Sequence, residues 1–172
     1  MLEIIKEIGI PIFSFGLGFW SKQYIDSKKR KVEHDITVFR TLDAIANEDE
    51  MMSVYYGARS NYHIGKSRKN FYQFLIEAQK ASNNFIYKNI EKQKIKLIVA
   101  IDELLKYYAT EGLPTRNGDQ SINPASMDMT PYSDHDRIRF EQEVMPKSDK
   151  LADEFKTTFL KYRNTIKMKL KV

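Results

Sequence analysis

Apolar and polar positions alternate along this chain with the period of a helix. From Val32, the apolar residues Val32, Ile36, Phe39, Leu42 and Ala46 recur every three or four positions and make one stripe. Asn47 followed by Glu48, Asp49 and Glu50 has the form of a helix restart, a capping side chain and then acids near the positive end of the dipole. Met51, Val54, Tyr55, Ala58 and Tyr62 continue the pattern up to Gly65, which ends or bends it. Phe71, Phe74, Leu75, Ala78, Ser82 and Phe85 form a further face, extended by Ile95, Ile98, Ile101, Leu105 and Tyr108, with a break possible at Ser82, Asn83 and Asn84. A last stripe runs through Leu151, Phe155, Phe159, Tyr162, Ile166 and Leu170, with Pro146 interrupting the helical region before it.

These stripes predict an all-α fold, an antiparallel helical bundle of about four helices preceded by a short apolar N-terminal helix. The chain divides into an N-terminal segment at 1–27, a helical body at 28–110, a loop at 111–133 containing Pro114, Pro124 and Pro131, and a C-terminal helical region at 134–172. Seven glycines and five prolines in 172 residues are too few for a β fold rich in tight turns.

The N-terminal segment breaks the amphipathic pattern. Ile8 to Ser21 carries no charge, and Ile10, Ile12, Phe13, Phe15, Leu17, Phe19 and Trp20 make it strongly apolar. Fourteen residues cover roughly 21 Å as a helix, against a hydrocarbon core of about 30 Å. Flanking Lys6 and Lys22 can snorkel and extend the reach, and Trp20 and Tyr24 suit an interfacial aromatic belt. The basic run Lys28, Lys29, Arg30 and Lys31 follows, so the positive-inside rule places the body in the cytoplasm. We therefore expect a single-pass anchor in the cell membrane. An in-plane helix and a helix packed in a protein interface are the alternatives. Pro11 should kink this helix or mark its start, and Ser14 and Gly18 offer a small-residue contact for a homo-oligomer.

Charge adds a second asymmetry to a net charge of +5. Residues 32–55 hold six acids and one base, whereas residues 155–172 hold six bases and no acid. A basic C-terminal helix near a basic juxtamembrane run suits anionic lipid, although a solvated helix end needs no such partner.

Candidate chemistry is sparse. The absence of cysteine excludes disulfides, thiolate zinc sites and a cysteine nucleophile. Glu33-His34-Asp35 and Asp134-His135-Asp136 carry metal-ligating types, but adjacent helical residues diverge by about 100°, so neither triplet is a site alone. Neither metal nor cofactor is expected. Gly65-Lys66-Ser67 lacks the earlier glycine and the preceding strand of a P-loop. Arg59 and His63 resemble the Arg-xxxx-His pattern of helical HEPN-type ribonucleases, which would imply RNA cleavage. Three residues separate them here, one fewer than that pattern's minimum. Arg59, Tyr62, Lys66 and Lys69 would form a basic, partly aromatic stripe for nucleic acid if their segment is one helix.

The leading expectation is a membrane-anchored helical bundle acting through contacts with a protein partner rather than by catalysis. Its layout is similar to that of small anchored accessory or effector proteins of bacterial defence systems. The alternative is a soluble oligomeric module binding nucleic acid through its basic helix face.

Overall fold

A computed structural model describes residues 2–65, 68–115, 119–124 and 133–172, with side chains from residue 22 onward except at 61 and 114. The fold is all-α. Its helices are α1 (Leu2–Asp43), α2 (Glu48–Tyr56), α3 (Arg68–Ala78), α4 (Lys88–Glu111), α5 (Asp134–Arg139) and α6 (Met145–Leu170). Three two-residue strands, β1 (His63–Ile64), β2 (Leu113–Pro114) and β3 (Gln120–Ser121), form an antiparallel sheet in the order β1-β3-β2. Ser121 faces His63 on one side and Leu113 on the other. This sheet pins part of the expected 111–133 loop; residues 116–118 and 125–132 lie outside the described residues.

The core is built on antiparallel α4 and α6. At one end the Tyr107 hydroxyl donates to the Val144 carbonyl at 2.9 Å, and at the other the Phe85 and Tyr162 rings meet at 6.2 Å. Phe71 of α3 packs on Phe155, which stacks on Phe159. The α6 stripe is buried at Phe155, Phe159, Tyr162, Ile166 and Leu170. On α4 the buried face runs through Ile90, Lys94, Leu97, Ile101, Leu104, Leu105 and Tyr108. Ile95, assigned to that face from its spacing, is instead 52% exposed. Lys94 takes the inward position, its aliphatic stem covering apolar surface while its ammonium finds oxygen partners.

The short N-terminal helix of the sequence reading is replaced by a single helix of 42 residues that continues through Pro11. Residues 22–31 are all exposed, and among the described side chains of α1 the first buried one is Asp35. The expected single-pass helix finds no support: among the described residues, none is long and apolar enough to cross a membrane. The side chains of Ile10, Ile12, Phe13, Phe15, Leu17, Phe19 and Trp20 lie outside the described residues.

The chain turns after α1, and Asn47 caps α2, its Oδ1 accepting from the Glu50 amide at 3.0 Å. Arg163 of α6 bridges that corner, donating to Asp43 and, at 2.9 Å, to Glu48 while its guanidinium lies over the Phe39 ring. The possible break at Ser82–Asn84 is real, since α3 ends at Ala78 and a 3-10 turn (Ala81–Asn83) precedes α4. Helix α5 runs into α6 through a π-helical turn, Phe140–Val144. That turn carries the Met145 amide back to the Phe140 carbonyl, so the helix passes Pro146 instead of stopping there.

Asp35 ties α1 to the rest. Its carboxylate, fully buried, accepts from the Ile86 amide at 2.7 Å and the Tyr87 amide at 3.0 Å, at the start of α4. Replacing it with alanine leaves two part-buried amides without their acceptor. We predict that Asp35→Ala lowers unfolding free energy by about 2–3 kcal/mol, measured as a lower urea midpoint at unchanged slope.

Candidate functional site

The residues proposed for nucleic acid do not share one helix. A π-helical turn, Gly57–Asn61, follows α2, and Tyr62 then adopts a left-handed conformation with φ of 52°. The chain passes into β1, and Lys69 is carried away on α3 as an exposed residue. Lys66 lies outside the described residues. Arg59 is engaged within the body: it pairs with Asp149 at 2.7 Å and lies 3.8 Å from Asp153. Coulombic attraction to Asp149, the larger influence, raises the Arg59 pKa further. Tyr62 meets Phe140 edge to face at 5.2 Å. Arg59, Tyr62 and Lys69 therefore present no common basic stripe.

The π-helical turn has a structural consequence. In an α-helix the Tyr62 amide would bond to the Ala58 carbonyl; here it bonds to Gly57 instead. The Ala58 carbonyl, left over inside the core, accepts from the Tyr108 hydroxyl at 3.2 Å and the Ser148 hydroxyl at 3.4 Å. Those hydroxyls are 3.1 Å apart. Ser148 is thus a buried cross-link between α6 and the segment after α2. Gly57 is needed here, because a Cβ would approach the His63 carbonyl oxygen to 2.8 Å.

His63 borders a cleft of about 500 Å³ together with Asp49, Met52, Ser53, Tyr56 and Gly57. Its Nε2 stands 3.8 Å from an Asp119 carboxylate oxygen, beyond hydrogen-bond distance. Imidazole, Asp49 carboxylate and Ser53 hydroxyl make no hydrogen bond with one another, so no nucleophile–base relay is assembled among them. The other histidines serve the fold. His34 Nε2 donates to the Asn84 carbonyl at 3.0 Å, beside Asp35. His135 sits in the first turn of α5, where Ser133 caps the Asp136 amide and its hydroxyl, 2.6 Å away, holds the Asp136 carboxyl below its usual pKa. Arg139, four residues on from His135, bonds to Glu111 at the far end of α4, so the two acid-flanked histidines occupy opposite ends of the body. Among the described residues no group of three or more metal-ligating side chains converges.

A concave surface runs along the outer seam of α4 and α6. A groove of about 610 Å³ lies over Ile95, Val99, Ala100 and Thr158, and a second of about 500 Å³ continues it toward Tyr107 and Leu151. Glu103, Lys150 and Glu154 border both. Ile95 and Val99 are about half exposed, one helical turn apart, with charges of both signs around them. An apolar floor with a polar rim is the form of a surface for a protein partner rather than for a polyanion. Sequence reasoning missed it because Ile95 was assigned inward; the signal was Val99, at i+4 and off the core stripe.

Comparison with protein-family models, curated proteins and solved structures gave no match. The functional reading rests on geometry.

Two predictions test the buried hydroxyls. Tyr108→Phe and Ser148→Ala should each cost about 1 kcal/mol, and the double variant more than the sum, because only it leaves the Ala58 carbonyl without a donor; a double-mutant cycle by urea unfolding measures this. Burial pushes the Tyr107 hydroxyl up to about 12, and Tyr108 and Tyr162 higher still. The unfolded chain releases these protons near pH 10 and the folded chain does not. Their contribution is therefore complete below about pH 10 and falls as pH rises toward 12. Thermal midpoints should drop over that window, and the drop should shrink in Tyr107→Phe.

Proposed function

We propose that this chain is a helical contact module attached to a membrane by insertion of the N-terminal part of α1, with its body acting through protein contacts. The observation that carries the reading is the course of α1. One uninterrupted helix contains the uncharged Ile8–Ser21 stretch and the exposed basic residues that follow, and among its described side chains contact with the body begins at half-buried Val32 and fully buried Asp35. An uncharged stretch this rich in Ile and Phe favours apolar surroundings, and end-on insertion supplies more of them than an in-plane position at a bilayer surface. A length of roughly 21 Å reaches most of the way through a hydrocarbon core of about 30 Å, with Lys22 at the headgroup level. A crossing would draw on local thinning of the bilayer and on snorkelling by Lys6. The basic residues from Lys28 onward favour the cytoplasmic side for the body.

Protein contact, rather than catalysis, fits the body. The α4–α6 seam offers Ile95 and Val99 in a groove whose shape suits an amphipathic helix. The His63 cleft has no assembled relay.

The test is fractionation of the full chain, with an alkaline carbonate wash, beside a chain lacking residues 1–21. We expect the full chain to stay with washed membranes and the shortened chain to be soluble, losing only the helical signal of the deleted part of α1. A soluble full chain that elutes as an oligomer would overturn the proposal, with the apolar segment then covered by other copies of the chain.

A further inference from the structure

The fold brings two basic segments that are far apart in sequence to one end of the body. The 84–87 segment is the landmark. On its α1 side, His34 and Asp35 bond to Asn84, Ile86 and Tyr87. On its α6 side, Phe85 packs against Tyr162. Helix α1 carries Lys28, Lys29, Arg30 and Lys31 within two turns of Asp35. Helix α6 continues past Tyr162, so Lys167, Lys169 and Lys171 lie roughly 8–14 Å further along its axis. All seven are exposed.

The acids at this end are largely occupied. Asp35 is bound by two amides, Glu91 by Lys94 and the Phe85 amide, and Glu77 by Lys80. Glu33 lies 3.9 Å from Lys29. Among the described residues Lys28, Arg30, Lys31, Lys167, Lys169 and Lys171 have no ion-pair partner, whereas at the opposite end Arg137 and Arg139 are paired with acids. A cleft of about 410 Å³ opens at the basic end between α1 and the body. Gln23, Ser27, Arg30 and Lys31 offer polar and cationic groups there, Asp26 lines it as the one acid, and half-exposed Ile86 adds an apolar wall. A cation-lined recess beside an exposed isoleucine suits a phosphate group at the level where headgroup meets acyl chain.

We propose that this end of the body is a docking face for anionic lipid headgroups, in which the basic run of α1 and the last turns of α6 act together. The proposal rests on the membrane attachment above and adds that the body itself lies against the bilayer, chosen by charge. Phosphate groups of a nucleic acid would also attract these cations. Lipid is favoured because the patch is continuous along α1 with the apolar segment, and because the Tyr24, Ile25 and Ile86 side chains exposed there have no use on a phosphodiester backbone.

The test is flotation of the purified full chain with vesicles of phosphatidylcholine alone and with vesicles also containing phosphatidylserine. We expect binding to both, tighter to the second. Lys167→Gln, Lys169→Gln and Lys171→Gln together should remove most of that preference, about five-fold for one lysine and on the order of a hundred-fold for three, leaving binding to neutral vesicles unchanged. An equal charge change at the other end, Lys106→Gln with Lys147→Gln and Lys150→Gln, should leave the preference intact. All six side chains are surface residues, and matching thermal midpoints will show that both variants fold. A preference untouched by the α6 variant, or lost equally in both, overturns the docking face while the tether stands. Failure to bind either vesicle overturns tether and face together. Release from anionic vesicles by short duplex DNA or RNA, with the same lysine dependence, would assign the face to nucleic acid and overturn the lipid proposal.

Discussion

A buried carboxylate holds this architecture in register. Asp35 is fully buried where α1 meets the body, and it spends its charge on the two amides just ahead of α4. A fully buried acid is costly unless its oxygens are filled, and unfilled amides at a helix start are costly too. Each removes the other's penalty. Lys94 completes the arrangement from the opposite side, donating to the Asn83 carbonyl at 2.8 Å and the Asn84 side chain at 3.2 Å and pairing with Glu91 at 3.0 Å. The segment between α3 and α4 is therefore fixed by charges of both signs, and the direction in which α1 leaves the body is fixed with it. Arg163, bound to Asp43 and Glu48, secures the other end of the same contact.

How much of this could be read from the residues depended on whether a position was decided locally. The α6 stripe from Phe155 to Leu170 and the α3 face from Phe71 to Ala78 were legible, because apolar spacing alone determines which side of an isolated amphipathic helix turns inward. The Asn47 cap was legible for the same reason, its partner being three residues away. Long-range partners decided the rest. Glu33-His34-Asp35 looked like half of a metal site, but its use is set by a loop some fifty residues later. Lys94 displaced Ile95 from the core because carbonyls at Asn83 and Asn84 were there to receive an ammonium. The strands of the small sheet have two residues each and show no period at all.

The candidate sites follow the same division. The basic run of α1 is a local feature and was plain in the sequence. The stripe at Arg59, Tyr62, Lys66 and Lys69 presumed a continuous helix, and that premise failed at Tyr62, where the chain turns left-handed into β1. No residue type announces that turn; it follows from the π-helical step before it, and that step is stabilised by Tyr108 and Ser148 from two other helices. Arg59 in turn faces Asp149, one residue beyond Ser148. The contact that frees the Ala58 carbonyl for the core thus also brings the carboxylate that occupies Arg59.

Charge placement links the fold to the proposed attachment. In a chain with a modest excess of bases, an even distribution of ion pairs would leave little net field anywhere. Here the far end pairs Arg139 with Glu111 and Arg137 with Asp134 and Glu141, and the Arg59 pocket satisfies its own cation, so much of the balancing acid is used away from α1. Near α1, Asp35 is taken up by amides, Glu91 by buried Lys94 and Glu33 by Lys29, which leaves Asp26 as an exposed acid among a majority of exposed cations. A body hung from an apolar helix and carrying such an end has a preferred face toward an anionic bilayer. That orientation would leave the α4–α6 groove to the side, along helices that run away from the basic end, where Ile95 and Val99 stay open to a protein partner. Tethering and protein contact would then use different surfaces of the same helices, and neither would block the other.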